Sequence, residues 1–133
     1  MGLSSKKNKC EKRDIVFEPM EETNDFGIRN QDVEITENIS KSDILKYIDI
    51  MLDDPNQFVV LSAPKAIENI EFVQAALAMG RIQLQIGVME TEAGSCKLYF
   101  KECTEEECKK SFLDFFHGTF QPDMKEYKPV KFM

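Results

Sequence analysis

The chain has no tryptophan, only one histidine, and no apolar run approaching the roughly 20 residues that span a bilayer. Each absence removes a class of protein. Without an apolar span, stable membrane insertion is not expected. The single histidine, His117, falls at a predicted helix C-terminus and reads as a capping residue, not as the base that nucleophilic catalysis needs beside a nucleophile and an orienting group. The six glycines stand singly as turn residues, so no glycine-rich loop is present to cradle a phosphate, and no cofactor is expected. No apolar stretch follows the basic N-terminus, which therefore does not read as a secretory signal, and Lys6 stands where the N-myristoylation pattern wants Ser or Thr. The expected location is the cytoplasm.

What is present is the material of one core. The chain has 133 residues, 42% of them hydrophobic and 31% charged, a globular balance in a length that suits one domain. The net charge of −7 is unevenly spread. Residues 1–13 carry Lys6, Lys7, Lys9, Lys12 and Arg13 against Glu11, a net of +4, and the rest of the chain carries −11. Such a body repels phosphate backbones, so nucleic acid is not an expected partner. It suits a protein with a basic surface, or it serves solubility alone.

Residues 1–13 read as a disordered basic tail and residues 14–133 as a single α+β domain, with 14–40 loosely docked. Within that loose part, Asp14–Met20 and Asp32–Ile35 read as short edge strands and Asn24–Gly27 as a turn. Ser42 reads as the N-cap of a first helix, since Ile44, Leu45, Tyr47, Ile48, Met51 and Leu52 recur at helical spacing until Asp53-Asp54-Pro55 stops it. Strands follow over Gln57–Ala63, Ile70–Ala76, Arg81–Met89 and Cys96–Glu102, with Glu92–Ser95 as a turn. The clearest is the third, where Ile82, Leu84, Ile86 and Val88 alternate with polar positions or glycine. Thr104-Glu105-Glu106-Glu107 is a capping box opening a second helix that ends at Gly118. Tyr127–Phe132 reads as extended. The architecture predicted is an antiparallel β-meander of about four strands with two helices packed on one face. That covered face would carry Phe58, Val60, Phe72, Ile82, Leu84, Ile86, Leu98 and Phe100.

Chemistry fares poorly against these elements. Cys96, Cys103, Cys108 and His117 invite a metal reading. The first pair lies roughly 23 Å apart along a strand at ~3.3 Å per residue. Cys108 and His117 lie roughly 13 Å apart along a helix at ~1.5 Å per residue. Ligands within ~2.3 Å of one zinc cannot come from such a set. Catalytic, cofactor and metal residues are accordingly none. Gln74 is an oddity, an amide where alternation from Ile70 and Phe72 predicts core. It reads as the exposed end of its strand, or as a hydrogen bond to the strand beside it. The opposite sheet face would carry Glu71, Val73, Gln83, Gln85, Lys97, Tyr99 and Lys101. A polar face containing Val73 and Tyr99 reads as a possible protein-binding surface (Val73, Gln83, Gln85, Lys97, Tyr99, Lys101), or as a solvated sheet face.

The order of a helix, the strand Phe58-Val59-Val60-Leu61, then Phe72-Val73-Gln74-Ala75, an amphipathic strand and a capped helix ending near Phe116-His117-Gly118 resembles an immunity-protein family of bacterial polymorphic toxin systems. The closing Glu126-Tyr127-Lys128-Pro129-Val130 extends the likeness, with Tyr127 where that family often has a tryptophan. The resemblance covers about two thirds of the chain, from Ile44 to Phe132. It implies a non-enzymatic protein that binds and neutralises a toxin. The function expected is thus a cytosolic protein-binding module, of which such an inhibitor is one form, meeting a basic partner or itself. The alternatives are an accessory factor tethered to membrane or ribonucleoprotein by the basic tail, and an enzyme with an unrecognised carboxylate site.

Overall fold

A computed structural model describes residues 24–89 and 96–130. The expected basic tail, the strand over Asp14–Met20, the turn at Glu92–Ser95 and the last residues of the Tyr127–Phe132 segment lie outside the described residues. Those described form an α+β fold with two helices and a seven-stranded antiparallel sheet. The chain runs β1 (Gly27–Arg29), β2 (Glu34–Ile35), α1 (Lys41–Asp53), β3 (Phe58–Ile67), β4 (Ile70–Ala78), β5 (Arg81–Met89), β6 (Cys96–Cys103), α2 (Glu105–His117), one 3-10 turn (Met124–Glu126) and β7 (Lys128–Pro129). The sheet order is β2-β1-β3-β4-β5-β6-β7. The four long strands are the predicted meander, and three strands of two or three residues extend it at both edges.

Both helices are set by reciprocal caps. Thr104 and Glu107 form the predicted box, and Gly118 closes α2 in the left-handed conformation at φ 78°. α1 begins two residues earlier than expected. Its cap is Ser40, whose Oγ accepts from the Asp43 amide at 3.2 Å while Asp43 accepts from the Ser40 amide at 2.8 Å. A box needs a carboxylate three residues on, and three residues after Ser42 stands Leu45. Asp54 ends α1 in extended backbone, as a residue before proline must.

The hairpins turn on pairs of residues that both have positive φ, Glu68–Asn69 (53° and 70°) and Met79–Gly80 (54° and 80°). Two-residue loops of this hand match the twist of antiparallel strands. At the other edge, the turn from β1 to β2 is fastened by two buried amides. Asn30 accepts from the Asp32 and Val33 amides, and Gln57 accepts from the Gln31 amide while donating to Asp32 at 2.7 Å. Asn24, expected in a turn, accepts from the Phe26 amide at 3.2 Å, and the chain then enters β1 at Gly27.

One face of the sheet is covered by both helices. Ile44, Tyr47, Ile48 and Met51 of α1 and Cys108, Phe112 and Phe115 of α2 pack into a single cluster with Ile28, Val59, Leu61, Val73, Ala75, Ile82, Leu84 and Ile86. For β5 the predicted facing is the observed one. For β3, β4 and β6 it is reversed: the core takes Val59 and Leu61 in place of Phe58 and Val60, Val73 and Ala75 in place of Phe72, and the Tyr99 side of β6 in place of Leu98 and Phe100. Phe58-Val59-Val60-Leu61 and Leu98-Tyr99-Phe100 are apolar at every position, so alternation alone does not choose a face. The pairing to β5 chooses it. Ile86 stands opposite Val73 and Tyr99, and Leu84 opposite Ala75 and Lys101.

A bulge in β4 explains the Gln74 anomaly. Ile70 pairs with Val88 but Phe72 with Gly87, so Glu71 is an extra residue and the facing switches between Ile70 and Phe72. Ile70 stays in the core at 4% exposure, while Phe72 and Gln74 turn to the other face. Phe72 lies over Gly87, where a Cβ would collide with its ring.

Candidate functional site: the open face of the sheet

The sheet face opposite the helices is uncovered among the described residues. Register places on it Arg29 from β1, Phe58 and Val60 from β3, Phe72, Gln74 and Ala76 from β4, Gln83, Gln85 and Gly87 from β5, and Leu98 and Phe100 from β6. All the aromatic and aliphatic members are buried or half-buried by their neighbours alone. The Arg29 guanidinium sits 5.5 Å from the centroid of the Phe58 ring, a cation–π contact that holds the long side chain against the surface. Between them and the glutamines lies a hollow of about 260 Å³.

The glutamines form a directed row. Gln74 Nε2 donates to Gln85 Oε1 at 2.5 Å, and Gln85 Nε2 donates to Gln83 Oε1 at 3.0 Å. Gln74 and Gln85 are direct cross-strand partners, so the second of the two readings of Gln74, a bond to the neighbouring strand, is the one realised. The row satisfies its own middle in an otherwise apolar surround.

Charge on this face differs from the rest of the molecule. Arg29, Arg81 and Lys128 share it with Glu34 and Glu102, whereas the described residues together hold 17 acidic and 11 basic side chains. Most acidic side chains among the described residues therefore lie away from this face, on the helices, the turns and the sheet edges.

The six residues expected to share a surface are split between the two faces. Gln83 and Gln85 are on the open face. Val73 is fully buried beneath the helices, which corrects its placement at an exposed surface. Tyr99 lies half-buried on the helix side and packs against the core, with the exposed Lys97 over its ring at 5.6 Å. Lys101 also points to the helix side, where its ammonium meets Glu126 at 2.8 Å and Glu107 at 3.2 Å and stands 5.4 Å from the Tyr127 ring. What sequence reasoning missed was Arg29, Phe58, Phe72, Leu98 and Phe100 on the open face. The bulge at Glu71 is the reason for β4, and it leaves no mark in composition.

Lys101 is 16% exposed, and its carboxylate partners hold the ammonium form: the Glu126 hydrogen bond raises its pKa, against burial, with Glu107 assisting. Burial pushes the Tyr127 hydroxyl up to about 12, with the Lys101 charge opposing. Glu107 is held below the usual carboxylate range, first by the Thr104 amide and then by Lys101. A depressed carboxylate stabilises the fold above its unfolded value, and that contribution is lost as pH falls through the folded one. On going from pH 6 to pH 3, the urea midpoint of Glu107→Gln is therefore expected to fall less than that of the parent chain, having started lower. The difference should stay under about 1 kcal/mol, because Glu107 is half exposed and water screens it. Equal slopes for both proteins would contradict this.

Cys103, at the end of β6, and Cys108, on α2, act on each other across the capped junction: Cys108 lowers the Cys103 thiol, against burial, and Cys103 raises the Cys108 thiol, with burial assisting. Among the described residues no three His, Cys, Asp or Glu side chains gather as metal ligands would, and no helix is long and apolar enough to cross a membrane. Comparison of the chain with protein-family models, with curated proteins and with solved structures finds no match.

Proposed function

We propose that this chain is a non-enzymatic protein-binding module that receives its partner on the open face of the sheet. The observation that carries the reading is the apolar strip of Phe58, Phe72, Leu98 and Phe100 around a self-paired glutamine row, on a face that no helix covers among the described residues. Aromatic anchors beside an arginine and amides are the composition that interface centres favour. The immunity-type inhibitor suggested by resemblance is one form of such a module, acting in the cytoplasm. The near-neutral charge of the face suits a partner surface that is mainly apolar and uncharged. A strongly basic partner would instead be drawn to the acidic helix side.

The edges of the sheet favour face docking over strand addition. β2 and β7 are two residues each, and Pro129 lacks an amide to offer a further strand. The test is site-specific photo-crosslinking in cells that express the chain. Benzoylphenylalanine at Phe58 or Phe100 is expected to give protein adducts that the same group at Lys46 of α1 or Lys110 of α2 does not. Adducts only from the helix positions, or from none of the four, would overturn the proposal.

A further inference from the structure

Resting on the open face being an interface, we propose that its occupant is a second copy of this chain, the two sheets packing face to face about a two-fold axis that lies between them. Three observations lead there. The first is charge. The described residues hold 17 acidic and 11 basic side chains, so two copies approaching by their acidic surfaces repel each other. Register puts Arg29 and Glu34 on one flank of the open face and Arg81, Glu102 and Lys128 on the other. A copy turned by a two-fold axis running along the strands sets one flank over the other, with Glu34 of β2 over Lys128 of β7.

The second is the middle of the sheet. β4 is the fourth of the seven strands, and its Gln74 stands in one cross-strand row with Glu34, Arg29, Val60, Gln85, Phe100 and Lys128. Gln74 gives one N–H to Gln85, which leaves its Oε1 and its second N–H without a partner among the described residues. A two-fold axis along β4 sets Gln74 over its counterpart, and the free N–H of each meets the free oxygen of the other. An apolar partner of unrelated surface would bury both unpaired, at a cost in affinity.

The third is size. The five strands from β1 to β6 that build the face span roughly 20 Å across at ~4.8 Å per strand, and the four long ones, of 8–10 residues, run about 26–33 Å at ~3.3 Å per residue. That is the footprint of a small interface, at the lower end of the specific range. It points to a weak, reversible dimer, with a dissociation constant on the order of micromolar.

The experiment is sedimentation equilibrium of the full chain at physiological salt, from about 1 to about 500 µM, spanning the expected constant. A monomer–dimer equilibrium is expected. Gln85→Lys places two like charges near the axis and should weaken it roughly tenfold or more, while Lys110→Glu on α2 should leave the constant unchanged. Far-UV circular dichroism and urea midpoints show whether Gln85→Lys keeps the fold. Gln83→Lys, on the same strand and face, serves in its place if not. A chain that stays monomeric overturns the second copy as occupant. The crosslinking above then separates the two readings: adducts from Phe58 to a different protein keep the interface, and adducts to residues 1–23 of the same molecule assign the face to the chain's own N-terminal segment. A dimer whose constant moves with Lys110→Glu and not with the glutamine variants forms on the helix side and overturns the inference as well.

Discussion

Val73→Lys is expected to abolish cooperative folding at 25 °C, while Gln83→Lys, a residue on the neighbouring strand, leaves the fold within about 1 kcal/mol of the parent. Val73 stands in the centre of the sheet, opposite Leu61 on β3 and Ile86 on β5, and is fully buried beneath the helices. A lysine there has no carboxylate within the cluster to meet, because every member of that cluster is apolar, a tyrosine or a thiol. An uncompensated buried ammonium costs several kcal/mol, even after it sheds its proton or the chain bends to let water in. Total stabilities of domains are about 5–15 kcal/mol, so a loss of this size removes most of the fold. Gln83 is half exposed on the open face and gives up only one acceptor to Gln85. Far-UV circular dichroism against urea reads both variants. A Val73→Lys protein with an unchanged midpoint would mean that the helices do not cover this face of the sheet.

The contrast between those two positions is also where the sequence is legible and where it is not. β5 alternates cleanly, with Ile82, Leu84 and Ile86 against Gln83 and Gln85, and each of these five residues lies on the face its chemistry suggests. The helices are equally readable, because capping needs particular side chains at particular spacings. Thr104 with Glu107 and Gly118 after His117 leave α2 little choice. The runs at Phe58–Leu61 and Leu98–Phe100 offer no such choice between faces, and their facing is a property of the pairing, not of either strand alone. β4 misleads for a further reason. Its alternation is correct on each side of Glu71, but the bulge changes its phase, so a pattern anchored on Ile70 inverts Phe72, Val73 and Gln74 together. Strands as short as β1, β2 and β7 have no periodicity to detect. They exist because long neighbours supply the ladder, as β3 does for Ile28 through Leu61 and β6 for Lys128 through Phe100. The open face therefore cannot be assembled before the register is known. Its two glutamines on β5 are visible in the sequence, whereas alternation sends its aromatic residues to the core.

Phe115→Ala is the second large effect, expected to lower stability by about 3–5 kcal/mol. Phe115 is fully buried on α2 and stands at the middle of a chain of edge-to-face rings, 6.1 Å from Phe26 and 6.3 Å from Phe120, with interplanar angles of 87° and 86°. Phe26 lies just before β1, and Phe120 just past the end of α2, so one ring ties the start of the described chain to the segment that leads into β7. Truncation removes the transfer free energy of a benzyl group, leaves a cavity that two rigid rings cannot close, and forfeits two aromatic pairings worth about 0.5–1.5 kcal/mol each beyond burial. Phe116 is the control. It meets the same Phe26 ring at 5.1 Å but is only half-buried, so Phe116→Ala should cost clearly less. The two variants should also differ in where they loosen the fold. Hydrogen exchange in Phe115→Ala is expected to quicken first in the amides of β1 and of residues 119–130, because the Phe115 ring is what holds these short strands against the sheet. The long strands β4 and β5, whose ladder Phe115 does not share, should keep their protection until the whole fold opens. Uniform loss of protection across all strands, or a cost for Phe116→Ala equal to that for Phe115→Ala, would contradict this account of how the edges of the sheet are held.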